Sequence, residues 1–74
     1  MNTAMTKYIT IFDEVIDHVS GLLQYRVRIA RDSRDKKPKY KLQLNDRLSA
    51  ISLAHQMHKD RKTANIVFIT NNNI

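Results

Sequence analysis

Cysteine is absent from this sequence, and glycine and proline occur once each, as Gly21 and Pro38. Without cysteine there is no disulfide and no thiolate metal site, and the composition fits a reducing compartment. One glycine and one proline exclude glycine-rich phosphate loops, long linkers and low-complexity stretches. No apolar run reaches the length of a membrane span. The segment MNTAMTKYIT has no basic region followed by an apolar one, so no secretory signal is read. The expectation is a cytoplasmic protein without membrane contact. A single domain of 74 residues buries only about 60–65% of the surface its unfolded chain exposes. Self-association is then one way to bury more.

Acidic residues are also scarce, seven against thirteen basic ones, for a formal net charge of +6. The imbalance is local. The window from Arg26 to Lys41 holds Arg26, Arg28, Arg31, Arg34, Lys36, Lys37, Lys39 and Lys41 against only Asp32 and Asp35, and so carries all of it. A neutral body with one cationic segment points to a polyanion-facing surface rather than to general solubility charge.

Periodicity places this segment on a β-hairpin. Leu23, Tyr25, Val27 and Ile29 alternate with Gln24, Arg26 and Arg28, which predicts a half-buried strand over residues 23–30. After the charged stretch 31–38 the alternation resumes, with Tyr40, Leu42 and Leu44 against Lys39, Lys41 and Gln43, giving a second strand over 39–44. The hairpin's outer face then carries Arg26, Arg28, Lys39 and Lys41 as a like-signed ladder, with Arg31, Arg34, Lys36 and Lys37 at its tip. Like charges facing each other across strands cost stability unless counter-charge is supplied, and a phosphate backbone or an acidic protein surface would supply it.

Before the hairpin, Ile9, Phe12, Ile16, Val19 and Leu23 recur at helical spacing, with Lys7, Thr10, Glu14 and Asp17 opposite, which predicts a helix over 6–20 closed by Gly21 in the left-handed conformation. The competing reading makes 6–12 a strand, because it is rich in β-branched and aromatic residues. Asn45-Asp46 is a helix N-cap pair, and a helix over 46–61 follows with Leu48, Ile51, Leu53, Ala54 and Met57 as its apolar face. The run Ile66-Val67-Phe68-Ile69, apolar on both faces, predicts an interior strand over 65–70, followed by a tail, 71–74. The expected fold is α+β, a single α-β-β-α-β domain with a three-stranded sheet covered on one face by two helices. The strand reading of 6–12 gives instead the ferredoxin-like order β-α-β-β-α-β.

No catalytic pattern is visible. Ser20, Ser33, Ser49 and Ser52 stand in no nucleophile motif, and His55 and His58, three apart, lack a convergent third metal ligand, so no metal or cofactor is implied. Tyr25 and Tyr40 are in phase with the hairpin's apolar face and are read as core, although either could stack on a base if that face turned outward. Tyr8, Ile11 and Val15 widen the apolar stripe beyond one small sheet's need, which makes them candidates for a homodimer contact, and an extended core face accounts for them equally well. The expected function is non-enzymatic, regulatory binding of DNA or RNA by the basic hairpin. An inhibitor or adaptor docking the same eight cations on an acidic protein is the alternative, and a small basic toxin-type ribonuclease is a third.

Overall fold

The computed structural model describes residues 4–69, which form four strands and one helix. Strands β1 (Ile9–Ile16), β2 (Leu23–Ala30) and β3 (Tyr40–Leu44) are followed by helix α1 (Arg47–Arg61) and strand β4 (Asn65–Ile69). The four strands make one mixed sheet of order β3-β2-β1-β4. β1–β2 and β2–β3 are antiparallel hairpins, whereas β4 returns through α1 to lie parallel beside β1. The described residues extend 40 × 23 × 21 Å. Four strands at about 4.8 Å spacing place the two edge strands roughly 14 Å apart, so the long axis runs along the strands.

The helix expected at 6–20 is not formed. Most of that segment is β1, a central strand flanked on both sides, and a central strand buries apolar residues on both faces. Ile9, Phe12 and Ile16 mimic a helical stripe, yet Phe12 faces α1 while Ile9 and Ile11 face the other way. The strand reading of 6–12 located a strand here but placed a helix after it. A tight turn takes that place, so the ferredoxin-like order is not adopted either. In the turn, Gly21 donates its backbone N–H to the Asp17 carbonyl, and the Asp17 carboxylate accepts from the Ser20 N–H and hydroxyl. Gly21 does take the left-handed conformation, at φ 74°, but in a hairpin rather than at a helix end.

One helix, not two, covers the sheet. Asp46 caps α1 by accepting from the Ser49 N–H at 2.8 Å. The buried contact is made by Ala50, Ala54 and Met57, packed on Phe12, Val27 and Ile29. Two alanines let the helix lie close to the sheet. Leu48, expected on the apolar face, is 71% exposed. The last strand lies at an edge rather than in the interior, which leaves Phe68 and Ile69 exposed. β3 is the opposite edge, so Tyr40 and Leu42 are also exposed although they share the helix-side face. Residues 70–74, including the expected tail, lie outside the described residues. No helix among the described residues is long and apolar enough to cross a membrane.

Of the three residues offered for a homodimer contact, Ile11 is buried and Tyr8 and Val15 are partly exposed. Ile11 is 0% exposed within a single chain, Tyr8 packs against the core cluster on the helix side, and Val15 is half-buried.

Candidate functional site

The structure divides the eight cations of the 26–41 window into two sets. Arg26 stands opposite Asp13 in the β1–β2 register and donates to its carboxylate through Nε at 3.0 Å and through a terminal nitrogen at 2.7 Å. That charge-assisted pair raises the Arg26 pKa further. Arg28 lies one pleat along the same face and reaches the same carboxylate at 3.6 Å. Asp13, read from the sequence as part of a helix, therefore supplies the counter-charge that the hairpin ladder lacks.

Arg28 anchors the loop. It is only 8% exposed and donates to the backbone carbonyls of Ser33 (3.1 Å) and Asp35 (3.4 Å). These bonds fold the 31–38 loop back over the face of the sheet opposite α1, where a cleft of about 310 Å³ opens between the loop and Arg26, Arg28 and Lys41. The Nε of Arg28 is buried without a hydrogen-bond partner among the described residues. Loop carboxylates tighten the same turn. Asp35 accepts from the N–H groups of Lys37 and Arg31, which lowers its pKa, and Asp32 accepts from the Arg34 N–H. The acids of the window thus hold the loop's backbone rather than its lysines and arginines.

The second set is Arg31, Arg34, Lys36, Lys37, Lys39 and Lys41. All six are exposed, and none forms an ion pair among the described residues. Lys39 precedes β3, and across the β2–β3 ladder only Arg28 and Lys41 face each other as like charges.

Cations distant in sequence collect at the same end of the molecule. Ile9 is paired with Ala30 and Asn65, and Tyr40 with Ile29, so β1, β3 and β4 begin where β2 ends. Helix α1 also finishes there, since the Met5 N–H donates to the Arg61 carbonyl and the Ala64 N–H to the Tyr8 carbonyl. This brings Lys7, Lys59, Arg61 and Lys62 to the loop end. Lys62 closes the helix in the left-handed conformation (φ 54°), where a side chain costs about 1 kcal/mol and glycine is the usual residue. The Arg61 guanidinium sits over the Tyr40 ring at 4.4 Å. Tyr40 is 45% exposed among these charges, whereas Tyr25 is half-buried and stacked on Phe12 at 6.0 Å. The core reading thus fits Tyr25 and not Tyr40. Sequence reading missed the four remote cations because only the topology joins them to the loop.

The opposite end has a different character. It carries the 17–22 turn, Asp17, Asp46 and the start of α1, with Ile16, Val19, Leu22, Leu23 and Leu48 exposed. The histidines serve separate packing roles. His58 Nδ1 lies 2.6 Å from the Thr63 hydroxyl, which also meets the buried Thr10 hydroxyl at 2.8 Å, and His55 packs against Phe68. No group of three or more His, Asp or Glu side chains among the described residues could hold a metal ion.

No family model, curated protein or solved structure matches this chain.

Proposed function

We propose that this chain is a small, non-enzymatic nucleic-acid-binding protein that meets its ligand with the loop end of the sheet. One observation carries the reading: six exposed cations, unpaired among the described residues, stand together, five on the loop between β2 and β3 and Lys41 on β3, and the loop's backbone is fixed by Arg28, Asp32 and Asp35. A preorganised loop loses little entropy when a ligand docks, and phosphates that replace its counterions release them to bulk solvent. Arg26 and Arg28 support the site through Asp13, while Arg31, Arg34, Lys36, Lys37, Lys39 and Lys41 make the contacts.

Binding measured across a salt series tests this. If about five phosphates are neutralised, log K falls against log[salt] with a slope of about −4 to −5 on duplex DNA and about −3.5 on a single strand. A salt-insensitive affinity contradicts the proposal. So does undiminished binding by a variant with Lys36, Lys37, Lys39 and Lys41 all changed to Ala.

An acidic protein partner is the second reading. It is favoured by the exposed apolar side chains of Tyr40 and Leu42 on β3 beside the cations, since protein interfaces pair an apolar centre with a charged rim. One stoichiometric protein captured from nuclease-treated lysate, together with no affinity for nucleic acid, would favour it.

A further inference from the structure

Two surface clefts meet at the loop end and share the side chains of Tyr8 and Lys39 as a common wall. They differ in chemistry. The first, about 540 Å³, is lined by Arg31, Arg34, Lys37 and Lys39 against Asp32 and Asp35. Both acids already accept backbone N–H bonds within the loop, so the cleft keeps a net positive field with its guanidinium and ammonium groups unpaired. The second, about 460 Å³, is lined by Ala4, Met5, Tyr8 and Tyr40, with Lys39 its one charged side chain among the described residues. Both volumes fall within the range of about 300–1,000 Å³ usual for small-ligand sites.

A cationic compartment continuous with an aromatic one matches the two halves of a nucleotide. We infer that this groove seats one nucleotide of a single-stranded nucleic acid. Its phosphate lies among Arg31, Arg34, Lys37 and Lys39, and its base lies in the cleft of Tyr8, Tyr40 and Met5. The inference rests on the nucleic-acid reading above and names the form of nucleic acid that the site takes.

Two physical points support a single strand over a duplex. Bases in a duplex are stacked on one another, so their faces are closed to a tyrosine; an unstacked strand offers them. Tyr40 is held for stacking, because Arg61 packs over its ring at 4.4 Å and the residue is still 45% exposed. A buried core tyrosine has neither property, and Tyr25, one strand away, shows the contrast by stacking on Phe12. The arrangement also reads no particular base. The cleft offers aromatic surface and one ammonium group rather than a set of converging donors and acceptors, which predicts weak sequence preference.

The test uses the full chain and three probes of equal length at one salt concentration: a single-stranded oligothymidylate, the same backbone with abasic residues, and a duplex. The chain has no tryptophan and three tyrosines, so tyrosine emission reports stacking directly. The expected result is that the thymidylate binds about tenfold tighter than the abasic strand and quenches tyrosine emission. Tyr40→Ala loses that tenfold advantage without changing abasic binding, and Tyr40→Phe keeps it. A far-ultraviolet circular dichroism spectrum identical to that of the parent shows that each variant is folded. Equal affinity for the thymidylate and the abasic strand, tighter binding of the duplex, or an unaffected Tyr40→Ala variant overturns the groove assignment while salt-dependent binding leaves the nucleic-acid reading standing. If none of the three probes binds, both readings fall, and the acidic-protein reading replaces them.

Discussion

Asp13 illustrates how one carboxylate can decide what several cations are for. It is almost fully buried, grips Arg26 through two hydrogen bonds and lies within ion-pair distance of Arg28. Arg28 in turn holds the loop by two backbone carbonyls. Removing one partner of a buried charge cluster strands the others, which typically costs about 3–5 kcal/mol. Asp13→Ala is therefore expected to destabilise the fold by about that amount in urea unfolding, a large share of the stability of a small domain. Lys37→Ala, at an exposed and unpaired position, should change stability by less than about 0.5 kcal/mol while weakening polyanion binding. If Asp13→Ala proved as mild as Lys37→Ala, Arg26 and Arg28 would return to the contact surface. The sequence displays Asp13 only as one of two consecutive acids. It cannot show that Asp13 and Glu14 point to opposite faces, the first to Arg26 and the second to Arg47 of α1 at 3.7 Å.

At the scale of elements, turns and caps are held by three aspartates that share one device. Asp17 is bound by the Ser20 hydroxyl and N–H, Asp35 by the Lys37 and Arg31 N–H groups, and Asp46 by Ser49. Each has its pKa lowered below the ordinary 3.8 because these hydrogen bonds favour the charged form. A depressed folded pKa contributes stability that is complete above the unfolded value and is lost as pH falls through the folded one. The melting temperature should thus hold from neutral pH down to about pH 5 and then decline through pH 4 and below. Changing all three to Asn should flatten that decline; an unchanged acid limb would show that other groups cause it. Local signals of this kind are what made much of the fold legible. β2 and β3 follow a period of two, and α1 is announced by its Asp46 cap and by Ala54 and Met57 at helical spacing. β1 was not legible, because a strand packed on both faces has no alternation to read and Ile9, Phe12 and Ile16 also fit a helix. The edge position of β4 was hidden for a related reason. Ile66–Ile69 is apolar enough for an interior strand, and only its parallel pairing with β1 places it outside.

Across the whole molecule, charge and apolar surface separate along the 40 Å axis. The loop end gathers Arg31–Lys39 with Lys7, Lys59, Arg61 and Lys62, and the other end exposes Val19, Leu22 and Leu48. The window in the sequence revealed the loop half of this basic end. The remainder depended on where α1 stops and β1 starts, which is tertiary information. Such a charge distribution steers a polyanion to one end and disfavours contact at the other. We propose that nucleic acid is met there by the exposed cations and Tyr40, with Arg26 and Arg28 supporting the site through Asp13 rather than making the contacts. The most direct test is to follow backbone amide NMR shifts while a single-stranded oligonucleotide is added. Shifts confined to residues 5–8, 31–41 and 59–63 are the predicted result. Shifts centred on residues 16–24 and 46–49, or none at saturating oligonucleotide, would contradict it.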